Sequence, residues 1–178
     1  MMIKNKKWIL KERPMGLVKD SDFELVSEEL PKINEGEILI ENIYLSFDPT
    51  QRSWLNDVPG YLPPVQIDEV VRSGGIGRVI DSKNPDYKTG DLTFGLVGWQ
   101  THCLTKPSVE DRFRVIPDLL PMPTMLNVMG STGITAYYGL VELGKPKSGE
   151  TVLVSGAAGA TGSVVVQIAK LKGCHVIG

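Results

Sequence analysis

A chain of 178 residues can form one ample domain or two small ones. Its 42% hydrophobic and 22% charged residues are ordinary for a globular fold, and two cysteines supply no disulfide framework. Nineteen basic against 21 acidic residues leave a formal charge of -2, and no basic cluster is present to neutralise phosphates, so no nucleic-acid face is expected.

The opening MMIKNKKWILKERP is basic, but its apolar run is only WIL at 8–10. That is too short for a signal peptide or a membrane span, which predicts a cytoplasmic protein without a membrane partner. Strand chemistry follows at 23–26 (FELV) and 37–44 (EILIENIY), separated by Pro31 and the turn Asn34-Glu35-Gly36. GGIGRVID at 74–81 is a further strand whose glycines permit close backbone approach. A turn at 84–91 leads to strands at 92–97, 99–104 and 113–116. Short strands punctuated by Gly and Pro predict a small barrel.

Character changes after PDLLP at 117–121. The pattern divides the chain into a β-rich domain over 1–122 and the start of a second domain over 123–178. Ser131 or Thr132 is placed to cap a helix through Ile134, Ala136, Tyr137, Leu140 and Val141 that ends at Gly144. A turn at 145–150 delivers a strand at 151–155, a helix, and a second strand at 174–177.

In VLVSGAAGATGS, at 152–163, the spacing is Ala157-x-Gly159-x-x-Gly162. Such a turn needs a small first residue for the bend. A glycine then lets amides approach a pyrophosphate, and another packs helix closely on strand. The flanking strand and helix are the context a dinucleotide site requires, and the helix N-terminus offers free N–H groups to a phosphate. A P-loop is excluded, because Ser163 stands where the lysine would be needed. The residue that reads the ribose lies about 20 positions past the turn, at or beyond Gly178. His102-Cys103 and Cys174-His175 together offer four zinc-ligand types. Adjacent strand residues point to opposite faces, however, so buried or half-buried strand pairs are expected and no metal.

These pieces resemble a known family. The residues that carry the likeness are Leu45-Ser46-Phe47-Asp48-Pro49-Thr50-Gln51-Arg52, Gly90-Asp91, Gly98-Trp99, Gly133-Ile134-Thr135-Ala136-Tyr137 and the turn at 155–163. Together they resemble the zinc-independent medium-chain dehydrogenase/reductases, and within them the double-bond reductase branch that includes prostaglandin reductases and alkenal/one oxidoreductases. The resemblance implies an α/β protein, with a GroES-like barrel followed by the start of a Rossmann domain. It implies NADPH-dependent reduction of a carbon–carbon double bond conjugated to a carbonyl, with an enone or enal as the small-molecule substrate. Gly159, Ala160, Thr161 and Gly162 then match the pyrophosphate loop, and Thr135 and Ser131 match positions near the nicotinamide. For Thr135, a helix residue bonding its own backbone is the equal alternative. Trp99 matches a position near the substrate cleft, with a buried barrel tryptophan as its alternative.

Two departures stand out. The branch often has Tyr in a D-P-Y-M-R element, and this chain has Thr50 there, a shorter donor. Relatives with a D-Y-x-x-P stretch place a tyrosine that Tyr61 in Gly60-Tyr61-Leu62-Pro63-Pro64 resembles, so Tyr61 and Thr50 become the catalytic candidates. Ser131-Thr132 stands where many relatives have Met-Pro. Asp48 and Arg52, four apart, are read as a local ion pair or cap.

A dinucleotide fold uses about six strands, and only the first two are present, so a fragment of a longer reductase is expected. The unpaired edge of the first strand invites a second chain, which predicts a homodimer. A quinone reductase and a non-catalytic folded module are the alternative functions.

Overall fold

The computed structural model describes residues 3–178. The chain divides into two compact units, Met1–Asp118 and Leu119–Gly178. The first is the β-rich domain. Strand β1, Lys4–Leu10, pairs antiparallel with β2, Phe23–Glu29, from Lys4↔Glu29 to Leu10↔Phe23. A five-stranded antiparallel sheet is built from β3, Ile38–Leu45, β4, Gly74–Ser82, β5, Leu92–Leu96, β6, His102–Thr105, and β7, Arg114–Val115. Its order is β6-β3-β4-β5-β7. A one-turn helix, α1, Thr50–Trp54, follows β3.

The sequence gives no signal for β1, because its lysines break the apolar pattern. In the structure the strand alternates by another means. Asn5 is buried among them, with only 1% of its surface exposed. Its Nδ2 donates to Gln100 Oε1 at 2.9 Å, and its Oδ1 accepts from the His102 amide at 3.0 Å and from Thr101 Oγ1 at 3.2 Å. A buried amide with both ends satisfied ties β1 to the segment that leads into β6. Backbone bonds extend the tie, Trp8 N to Trp99 O at 2.8 Å and Val71 N to Trp8 O at 3.0 Å.

Two apolar clusters fill this unit. Ile38, Ile40, Val79, Val97 and Cys103 form one, against Tyr87 and Phe113. Leu10, Leu55, Val65 and Val71 form the other, flanked by Phe23, Trp54 and Trp99. The second lies where α1 and the chain around Val65 and Val71 meet β1, so β1 carries both a polar and an apolar anchor.

The second unit holds α2, Met122–Leu126, α3, Ser131–Tyr137, a π-helical turn over Tyr138–Gly144, β8, Thr151–Leu153, α4, Ala160–Leu171, and β9, His175–Ile177. Strands β8 and β9 pair parallel, Thr151↔His175 to Leu153↔Ile177, with α4 between them in sequence. This is the strand–helix–strand opening of a Rossmann domain. The expected cap of α3 is corrected. The extended residue before the helix is Gly130, and Ser131 is already helical. A Cβ at Gly130 would lie 2.8 Å from Met125 O, so the tight turn out of α2 selects glycine there. The helix ends at Gly144 as the pattern predicts, although in a wider coil, with Lys145 N bonding Leu140 O at 2.9 Å. His175 is exposed while Cys174 is half-buried, so only His102-Cys103 fits the expected buried or half-buried pair. Among the described residues no helix is long and apolar enough to cross a membrane.

Replacing Asn5 by Ala leaves the partners at Gln100 and His102 short of a bond, and should lower stability by about 1–3 kcal/mol in urea unfolding. Burial, and then the charge of Asp111, push the Cys103 thiol up to about 12 from its ordinary 9.0. The folded thiol stays protonated where the unfolded one ionises. Stability should therefore decline as pH rises from 9.0 towards about 12, and Cys103→Ala should flatten that part of the profile.

Candidate functional site

The stretch Asp48-Pro49-Thr50-Gln51-Arg52 becomes α1 and the residues that start it. Asp48 Oδ1 accepts from the Thr50 amide at 2.9 Å and so turns the chain into the helix. Gln51 points inward and is 6% exposed. Its Nε2 donates to Ser46 O at 2.7 Å and to Ser73 Oγ at 3.0 Å, while Ser73 Oγ bonds Ser46 O at 2.7 Å. The expected Asp48–Arg52 ion pair is replaced by other partners. Arg52 Nη1 donates to Asn56 Oδ1 at 2.6 Å, and Nη2 donates to Pro14 O at 3.1 Å and Gly16 O at 2.9 Å. Asp48 is the cap and Arg52 the strut of the N-terminal loop.

Thr50 and Tyr61 come together. Thr50 Oγ1 and the Tyr61 hydroxyl are 2.7 Å apart, and either can donate. Tyr61 is 67% exposed, so its phenol reaches solvent while one bond fixes its direction. Its ring meets Trp54 edge-on at 6.2 Å between centroids. Trp99 is half-buried. It packs on the Leu10–Val71 cluster and also lines a cavity of about 610 Å³ with Phe23, Phe47, Leu17, Val18 and Arg52. Phe47 stacks on Trp99 at 6.4 Å and is otherwise 91% exposed.

In the second unit the glycine turn links β8 to α4 and bends at Gly156, one residue before the Ala157 to which the spacing assigns the bend. Gly156 takes φ +63°, the left-handed region that favours glycine. Gly159 N bonds Gly156 O at 2.9 Å, closing the turn. At Gly162 an added Cβ would collide with Gly156 O, so only glycine lets α4 pack this closely on the turn. The first bond of α4 is Ser163 N to Gly159 O at 2.9 Å, and no side chain caps the helix. The amides of Ala160, Thr161 and Gly162 therefore precede the helical ladder, which suits an anion. Thr135 and Thr161 line one cavity of about 360 Å³ with Ser155, Val152 and Val165. Thr135 Oγ1 donates to Ser131 O at 2.7 Å, the bond to its own helix backbone that is the alternative for this residue, and its oxygen keeps the capacity to accept.

Gln51, Ser73, Phe47 and Trp54 are structural partners of the site that the motif reading did not assign. Gln51 lies inside the motif, but its role depends on Ser73, 22 residues away, and no local spacing announces that pairing. Among the described residues no three His, Cys, Asp or Glu side chains converge as metal ligands.

Residues 6–111 match the family model described as the N-terminal domain of oxidoreductase. The chain is 39% identical over 175 residues to the NADPH-dependent curcumin reductase of Escherichia coli K12, covering 98% of this chain and 50% of that protein. It is 42% identical over 178 residues to prostaglandin reductase 1 of Oryctolagus cuniculus, covering 99% and 49%. The crystal structure of CurA from Vibrio vulnificus in complex with NADPH superposes with a TM-score of 0.86 at 36% identity, covering 97% of this chain and 51% of that one. The chain thus spans about half the length of the curated relatives it matches.

Gly162→Ala should lower stability by about 1–3 kcal/mol, since the collision is with backbone that cannot turn aside. Gly139→Ala, whose Cβ would meet open space, should be neutral or slightly stabilising in the same chemical-denaturation measurement.

Proposed function

The chain belongs to the oxidoreductases that carry this N-terminal domain, in the double-bond reductase branch of the medium-chain dehydrogenase/reductases, and on that premise we propose that it serves NADPH-dependent reduction of an α,β-unsaturated carbonyl. The observation that carries the reading is the hydroxyl pair formed by Thr50, at the start of α1, and Tyr61, on the exposed loop that follows.

The glycine turn fits the cofactor on its own geometry. Three amides lead into α4, Gly159 brings no side chain to block them, and Gly162 keeps the helix close. Gly159, Ala160, Thr161 and Gly162 would hold the pyrophosphate, where backbone donors and the helix dipole favour negative charge. Ser131 and Thr135 would lie toward the nicotinamide, with Thr135 held in one rotamer by its bond to Ser131 O. When bound, NADPH supplies the hydride that the substrate's β-carbon receives.

As the β-carbon gains hydride, charge grows on the carbonyl oxygen, and a proton must later reach the α-carbon. The role of Tyr61 is to donate a hydrogen bond to that oxygen. Thr50 then donates in turn to the Tyr61 oxygen, and the two-bond chain strengthens the phenol as a donor. Trp99 and Phe47 offer an apolar wall for the rest of the substrate. Thr50 alone is too short a side chain for the phenol's reach, and Tyr61 from the neighbouring loop supplies it.

Assayed on the full-length protein with a simple enone, Tyr61→Phe should lower kcat about 10²-fold and leave NADPH affinity unchanged. Thr50→Val should lower kcat about tenfold, since it removes the second bond and not the donor. Full activity in Tyr61→Phe would overturn the assignment of the donor. Turnover of quinones but not of enones would move the protein to the quinone reductases.

A further inference from the structure

Arg72 is the residue that this reading leaves unexplained. It lies just before β4, half-buried, and no carboxylate among the described residues pairs with it. With no acidic partner, its guanidinium is held by an aromatic face and a backbone carbonyl. Its guanidinium carbon sits 5.5 Å from the centre of the Trp54 ring, and its Nη1 donates to Pro63 O at 2.7 Å.

Both contacts lead to Tyr61. Trp54 is the aromatic ring against which Tyr61 rests edge-on. Pro63 is two residues beyond Tyr61 on the same loop. Among the described residues the other cross-chain anchors of this loop ahead of Pro63 are the Thr50–Tyr61 bond and, four residues before Tyr61, Arg13 Nη2 against Asp57 Oδ1 at 3.6 Å. Further along, the loop is firmly held. Val65 N bonds Trp54 O at 2.8 Å, and Arg13 Nη1 bridges Leu55 O at 2.9 Å and Val65 O at 2.8 Å. The fixed part therefore ends near Val65, and Arg72 carries the restraint outward to Pro63.

We propose that Arg72 is a positioning residue for Tyr61, holding the ring of Trp54 and the backbone at Pro63 so that the phenol stays on its line to the substrate carbonyl. This rests on Tyr61 being the donor. The chemistry of arginine suits the task. A planar cation stacks on an indole face and still directs an N–H at a carbonyl, whereas lysine keeps the charge and loses the flat contact. An unrestrained loop would let the phenol swing away, and a misplacement of about 1 Å is enough to lose much of a donor's effect.

A double-mutant cycle on the full-length protein tests it. Arg72→Met should lower kcat about tenfold with little change in the KM for NADPH, and Arg72→Lys should recover part of that loss. In a Tyr61→Phe background Arg72→Met should have no further effect, because there is no phenol left to aim. Additive losses in the double variant, with folding intact by thermal unfolding, would overturn the proposal and make Arg72 merely structural. If Tyr61→Phe alone retained full activity, the donor assignment itself would be the failure, whatever Arg72 did.

Discussion

The site in the first unit hangs on one buried amide. A helix of five residues has no stability of its own, because nucleation is unfavourable and the ladder has barely begun. What keeps α1 helical is Gln51, whose Nε2 is shared between Ser46 O and Ser73 Oγ. Those two atoms belong to the residue just after β3 and the residue just before β4, so α1 is bolted across the seam between the two strands. Once Gln51 faces inward, helical geometry sets its neighbours at about 100° steps around the axis. Thr50 is turned to Tyr61, Arg52 to the carbonyls of Pro14 and Gly16, and Leu55 to the apolar cluster with Leu10. The direction of Thr50 is a consequence of a bond that Thr50 does not make.

The second unit uses a different strategy. Its candidate phosphate site is almost entirely backbone. Specificity lies in where side chains are absent: Gly156 for a left-handed turn, Gly162 for close approach, and an uncapped α4 with its first amides free. A site of this kind is written in local sequence, since each glycine answers a constraint from residues only a few positions away. That is why the turn is legible from twelve consecutive letters. The candidate site of the first unit is made of side chains brought from separate stretches of the chain, and spacing alone cannot reveal it.

The same distinction explains what the sequence conveys of the fold. Strands with β-branched runs, such as β3 and β4, announce themselves, as does the opening of the Rossmann sheet. Strand β1 does not, because Lys4, Lys6 and Lys7 disguise an alternation in which Asn5 is the inward residue. A polar side chain can take a core position only when its partners are known, and those of Asn5 lie nearly a hundred residues away. Helix α1 is hidden for a related reason, its anchor being tertiary. The cap of α3 is misread because Ser131 is a good capping residue by type, yet the turn at Met125 leaves room only for glycine one position earlier. In each case a long-range or steric demand overrides a local preference.

Thr50 brings these threads together. Its hydroxyl, on a short stem at the start of α1, meets a phenol from the next loop. A tyrosine on α1 inherits its direction from Gln51 and needs no other support. A tyrosine on a loop does not, and the segment around it has to be restrained by contacts of its own. Trp54 against the ring and the Thr50 bond at the hydroxyl provide two of those contacts, and the loop is pinned again at Val65 by Trp54 and Arg13. A phenol on a loop is therefore aligned by a set of half-exposed contacts, where a group on α1 is aligned by one buried amide.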